Sequence, residues 1–89
     1  MKTIRLTIKG KVQGVFYRAT AKDVADLTGI KGWVRNLPDN NVEIIATASE
    51  ELLQKFINWC KQGPPKAKVE EVIVEDIDLE EFNGFRIIR

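Results

Sequence analysis

Residues 3–9 alternate: Ile4, Leu6 and Ile8 fall on one side, Thr3, Arg5, Thr7 and Lys9 on the other. That pattern predicts a strand with one buried face. The period changes from Arg18 to Thr28, where Ala21, Val24, Ala25 and Thr28 recur at helical spacing and Gly29 supplies a stop. Ile30 to Asn36 predicts a second strand and Val42 to Ala48 a third. Between them, Pro38, Asp39 and Asn40 supply turn chemistry, so the two strands form a hairpin. Leu53, Phe56, Ile57 and Cys60 then return to the helical period and predict a helix from Glu50 to Gln62. Ser49 is placed to cap it, Glu50 and Glu51 suit the positive end of its dipole, and Gly63 followed by Pro64 and Pro65 ends it. Lys68 to Asp76 reads as a fourth strand around Val72 and Val74, and Phe85 to Ile88 as a short last one.

The order is β-α-β-β-α-β with a short addition. This predicts an α+β, ferredoxin-like sandwich: one antiparallel sheet with two helices on one face, in a single domain over residues 1–89. A right-handed crossover makes the first two strands parallel, with the third between them. Their C-terminal ends then share one edge of the sheet. The segment Gly10–Tyr17 follows the first strand and Asn36 ends the second, so Arg18 and Asn36 are expected to face each other across one site.

That segment, GKVQGVFYR from Gly10 to Arg18, joins a strand to a helix and closes on an arginine in the first helical turn. Two readings of its glycines stand. They are ordinary turn glycines, or they let backbone N–H groups close around a small anion at a helix N-terminus. The spacing is neither a Walker A loop nor a dinucleotide fingerprint. Arg18 opposes the helix dipole, a conflict of about 0.3–1 kcal/mol that a bound anion would remove. Otherwise it is an exposed, solvated arginine. Asn36 likewise is either a turn-flanking asparagine or Arg18's partner. Trp33 and Trp59 read as core or sheet-face aromatics, and Cys60 as a buried thiol.

Composition limits the chemistry. Of 89 residues 44% are hydrophobic, and 14 basic side chains against 13 acidic ones leave a net charge of +1. This balance argues against a nucleic-acid scaffold or an anionic membrane as partner. No apolar run approaches the ~18 residues of a membrane span. There is no histidine and one cysteine, which removes Ser-His-Asp and Cys-His catalysis, histidine and thiolate metal sites, and an internal disulfide. The one serine is Ser49. An all-carboxylate magnesium site stays open, although no acidic cluster adjoins the loop. Met1-Lys2-Thr3 leads directly into the first strand with no signal-peptide core. A cytoplasmic monomer is expected.

Taken in order, GKVQGVFYR, KGWVRNLPD (Lys31–Asp39), GPPKAKVEEV (Gly63–Val72) and the final GFRIIR resemble acylphosphatases over essentially the whole chain. The resemblance implies hydrolysis of acyl phosphates to a carboxylate and inorganic phosphate, without metal or cofactor. It implies that the backbone amides of Gly14, Val15, Phe16 and Tyr17 bind the phosphoryl group with the Arg18 guanidinium, and that Asn36 orients the attacking water. Arg18 and Asn36 are then the catalytic pair. One departure is visible: Asn40-Asn41 stands where the family often has glycine, and asparagine is expected to adopt the left-handed turn conformation. The missing histidines suit this chemistry, since a carboxylate with a conjugate-acid pKa near ~4 leaves without a proton. Two alternatives remain: a non-catalytic anion-binding or regulatory domain, and an RNA-binding sheet. The chain lacks the RNP1 pattern of the latter. Acylphosphatase-like domains also occur within larger carbamoyl-transfer proteins, but a free-standing enzyme is expected here.

Overall fold

A computed structural model describes residues 1–89. Five strands and two helices follow the order β1 (Lys2–Lys11), α1 (Tyr17–Thr28), β2 (Lys31–Asn36), β3 (Val42–Ala48), α2 (Glu50–Gln62), β4 (Lys68–Ile77) and β5 (Phe85–Ile88). The sheet runs β4-β1-β3-β2-β5. As the crossover rule requires, β3 lies between β1 and β2 and is antiparallel to both. The sheet, expected to be antiparallel, is mixed: β5 pairs in parallel with β2, Gly32 opposite Phe85 and Arg35 opposite Ile88. The connection over residues 78–84 crosses one end of the sheet from β4 to the far edge, so β5 runs back antiparallel to β4 and parallel to β2.

The alternation in β1 does what its pattern requires. Ile4, Leu6 and Ile8 are buried under the helices beside Val42, Ile44 and Ala46 of β3 and Val34 of β2. Tyr17, Ala21 and Ala25 seat α1 on this surface, and Leu53, Phe56 and Cys60 seat α2. The start of α2 is built as expected: the Ser49 hydroxyl accepts from Leu52 N–H at 3.3 Å. At its end Gly63 N–H donates to Trp59 O at 2.8 Å. On the opposite face of the sheet, Arg5 and Arg35 both pair with Glu43, at 3.3 and 2.7 Å, and Arg35 lies over the Trp33 ring. No helix is long and apolar enough to cross a membrane.

One boundary moves in a way that matters for the site. β1 continues to Lys11, so Gly10 lies inside the strand and not in the loop that follows. Pairing with β4 jumps from Lys9–Glu71 to Gly10–Val69, a bulge that leaves Glu70 unpaired. Gly10 has φ of 127°, and a Cβ there would lie 2.1 Å from the Lys68 carbonyl oxygen. Gly10→Ala is therefore expected to destabilise the fold by about 1–3 kcal/mol in urea denaturation. Gly14, with φ of 72° and nothing within 4 Å of an added Cβ, bears only the left-handed penalty, about 1–2 kcal/mol.

Candidate active site

The loop between β1 and α1 spans residues 12–16. Val12 and Val15 are buried and pin it to the core, while Gly14 and Phe16 lie exposed between and beyond them. Gly14 and Phe16 are both left-handed, at φ of 72° and 66°, and the chain then enters the right-handed turn of α1. Alternating hands of this kind turn consecutive backbone N–H groups toward one side. The N–H groups of Gly14, Val15 and Phe16 donate to no acceptor in the protein. Tyr17 and Arg18 add two first-turn N–H groups that a helix leaves without internal partners. Phe16 occupies the N-cap position, where its side chain offers no acceptor, and the first turn contains no acidic residue. α1 is thus an uncapped, positive helix terminus fed by a left-handed loop.

Arg18, on that first turn, takes part in none of the molecule's ion pairs. Asn36 ends β2 opposite Val42. Its Oδ1 is buried and has no hydrogen-bond partner. Leaving a buried amide oxygen unpaired is unfavourable by about 1–3 kcal/mol, and the protein supplies this acceptor with no donor. Arg18 and Asn36 line the same cleft, of about 280 Å³, together with Val12, Gly14, Phe16, Tyr17, Ala19, Ile87 and Arg89. The lining contains no histidine, cysteine, aspartate or glutamate side chain. Pockets for drug-sized ligands begin near ~300 Å³, so the cleft suits a small molecule.

The sequence-predicted residues are therefore brought to one place, with two refinements. The Val15 side chain turns into the core, leaving only its backbone to the loop. Tyr17 likewise offers main chain: its ring is buried 5.3 Å from that of Trp59, and its hydroxyl donates to Cys60 O at 2.8 Å. Burial raises the phenol well above its usual range and pushes the Cys60 thiol up to about 12, so neither exchanges protons near neutrality.

Comparison with known proteins decides the family. The acylphosphatase family model matches residues 4–87. The chain is 46% identical to an acylphosphatase of Acaryochloris marina, over 97% of this chain and 92% of that one. It is 41% identical to one from Methylococcus capsulatus, over 100% and 98%. The chain belongs to the acylphosphatase family. The crystal structure of acylphosphatase from Bacillus subtilis superposes with a TM-score of 0.96 at 37% identity, covering 100% of both chains.

Three residues in or beside this cleft escaped sequence reasoning. Ile87 and Arg89 reach the cleft because β5 runs parallel to β2, placing the C-terminal end of β5 near Asn36. Short-range pattern contains no signal for that pairing. The third is Gln13, whose side-chain amide nitrogen donates to Leu37 O at 2.9 Å and to Asn41 O at 2.7 Å.

Proposed function

We propose that this chain hydrolyses the carboxyl–phosphate bond of small acyl phosphates, with Arg18 and Asn36 as its catalytic residues. The observation that supports this best is the meeting, in one small cleft, of unpartnered backbone donors, an arginine without a carboxylate, and the orphaned Asn36 Oδ1. The N–H groups of Gly14 to Tyr17 and the Arg18 guanidinium take the phosphoryl oxygens. The guanidinium supplies a two-pronged contact that a lysine cannot. Asn36 Oδ1 accepts a hydrogen bond from a water and aims its oxygen at phosphorus. A new P–O bond forms, the bond from phosphorus to the acyl oxygen breaks, and the carboxylate leaves with that electron pair. The water's proton passes to a phosphoryl oxygen of the substrate. Charge in such a transition state spreads over the equatorial oxygens, so preorganised donors and positioning supply most of the acceleration. With no aspartate, glutamate or histidine side chain in the cleft to protonate it, an alkoxide leaving group goes without a proton, which makes phosphate monoesters poor substrates.

The test is hydrolysis of an aryl acyl phosphate in chelator, with an aryl phosphate monoester as control. The acyl phosphate is expected to be turned over and the monoester to be at least about 10²-fold slower, a gap of the size that general-acid help supplies. Loss of activity in chelator, restored by magnesium, would overturn the cofactor-free reaction. Phosphate binding without turnover would reduce the chain to an anion-binding domain. We also propose a monomer that works in the cytoplasm without nucleic acid. In support, Cys60 is a buried free thiol and Trp33 on the open sheet face is covered by Arg35.

A further inference from the structure

We infer that Gln13 is a positioning residue for the hydrolytic step, setting the separation between the phosphate loop and Asn36. This rests on the reading proposed above for Asn36. Both N–H groups of the Gln13 amide are used, one on Leu37 O and one on Asn41 O, at 2.9 and 2.7 Å. Those two carbonyls frame the β2–β3 turn. Leu37 O also accepts from Asn40 N–H at 3.2 Å, and Asn41 O from Leu37 N–H at 2.8 Å. Gln13 therefore grips a closed, hydrogen-bonded ring and not a loose strand end. One residue after Gln13 comes Gly14, and one residue before Leu37 comes Asn36. β1 and β2 are not sheet neighbours, because β3 separates them. Beyond the end of the β1 ladder, the Gln13 amide ties the donors of the loop to the strand end that bears Asn36.

A water bound by Asn36 and a phosphorus held by the loop must approach in line. Misplacement by about 1 Å lowers such rates by about 10²-fold. Gln13→Met keeps the length of the side chain and removes both donors, while each carbonyl keeps its bond within the turn. The expected result is a kcat lowered about 10–100-fold. Inhibition by inorganic phosphate should change by less than about threefold, since the loop amides and Arg18 remain. The decisive measurement is a double-mutant cycle. In an Asn36→Ala background, Gln13→Met is expected to lower kcat by less than about twofold, because the group it positions is gone. Losses that multiply across the cycle, or phosphate affinity that falls in step with kcat, would overturn the proposal.

Gln13→Glu provides a second readout should the methionine variant melt early. A carboxylate there repels both carbonyls, whereas a protonated carboxyl donates one hydrogen bond. Activity relative to wild type at the same pH is expected to recover as pH falls from about 7 to about 5. A flat ratio would count against the tie. The two hypotheses fail differently: unaltered kcat in Asn36→Ala alone sinks the hydrolytic role of Asn36. An impaired Asn36→Ala with a multiplicative cycle sinks only the role of Gln13.

Discussion

Arg18→Gln is expected to lose about 10²–10³-fold in kcat/KM on an acyl phosphate, the scale for one preorganised donor at a developing oxyanion. Both ground state and transition state suffer, because the phosphoryl group is anionic throughout. KM should rise and kcat should fall together. The same substitution makes a less intuitive demand on stability. Arg18 opposes the dipole at the start of α1 and has no carboxylate partner, so its charge is unfavourable in the free protein. Glutamine removes that conflict, and the free variant is expected to be equally stable or more stable by up to about 1 kcal/mol. Inorganic phosphate should raise the melting temperature of the wild type and leave the variant nearly unmoved, because a ligand stabilises only the state that binds it. An arginine retained for structure would give the opposite pair: a lower Tm without ligand and an unchanged response to phosphate.

The reason Arg18 could be singled out from sequence is physical. The sheet's periodicity and the crossover rule place the end of β1 and the end of β2 on one edge, and α1 starts there without a cap. Those relations depend on local pattern and chirality, which a sequence displays. Asn36 was legible for the same reason, as the last residue before the turn chemistry of Pro38 and Asp39. The family motifs suggested the roles proposed above, which spacing alone left open between site and turn. What stayed hidden depended on non-local geometry. By sequence Gly10 is a loop glycine, because a bulge has no local marker; only the approach of Lys68 from β4 explains it. The parallel docking of β5, and with it Ile87 and Arg89, follows from a connection across the sheet's end whose direction no periodicity encodes. Gln13 was invisible because a glutamine's partners, 24 and 28 positions away, are carbonyl oxygens that every residue possesses. The Asn40 substitution, in contrast, behaved as its chemistry suggests. It sits left-handed at φ of 73°, and the Asp39 carboxylate accepts from Asn41 N–H at 3.2 Å to close the turn.

Asn36→Ala is expected to separate turnover from binding. Removing the water's acceptor should lower kcat by about 10²–10³-fold, as for other single preorganised polar groups. The phosphate cradle is untouched, so competitive inhibition by inorganic phosphate should stay within about threefold of wild type. Stability should hold or rise slightly, because the variant deletes a buried oxygen that has no partner in the free protein. Asn36→Asp sharpens the assignment. It keeps an oxygen in the same place but sets a carboxylate against an anionic substrate at a distance where like charges repel. Phosphate affinity, spared in the alanine variant, should fall in this one, and the loss should deepen as pH rises and the new carboxyl ionises. If Asn36→Asp instead kept wild-type affinity and gained activity with pH, the side chain at this position would be acting as a base. An amide cannot take that proton, so such a result would describe a new base created by the variant, place the attacking water within reach of position 36, and leave the native proton with the substrate.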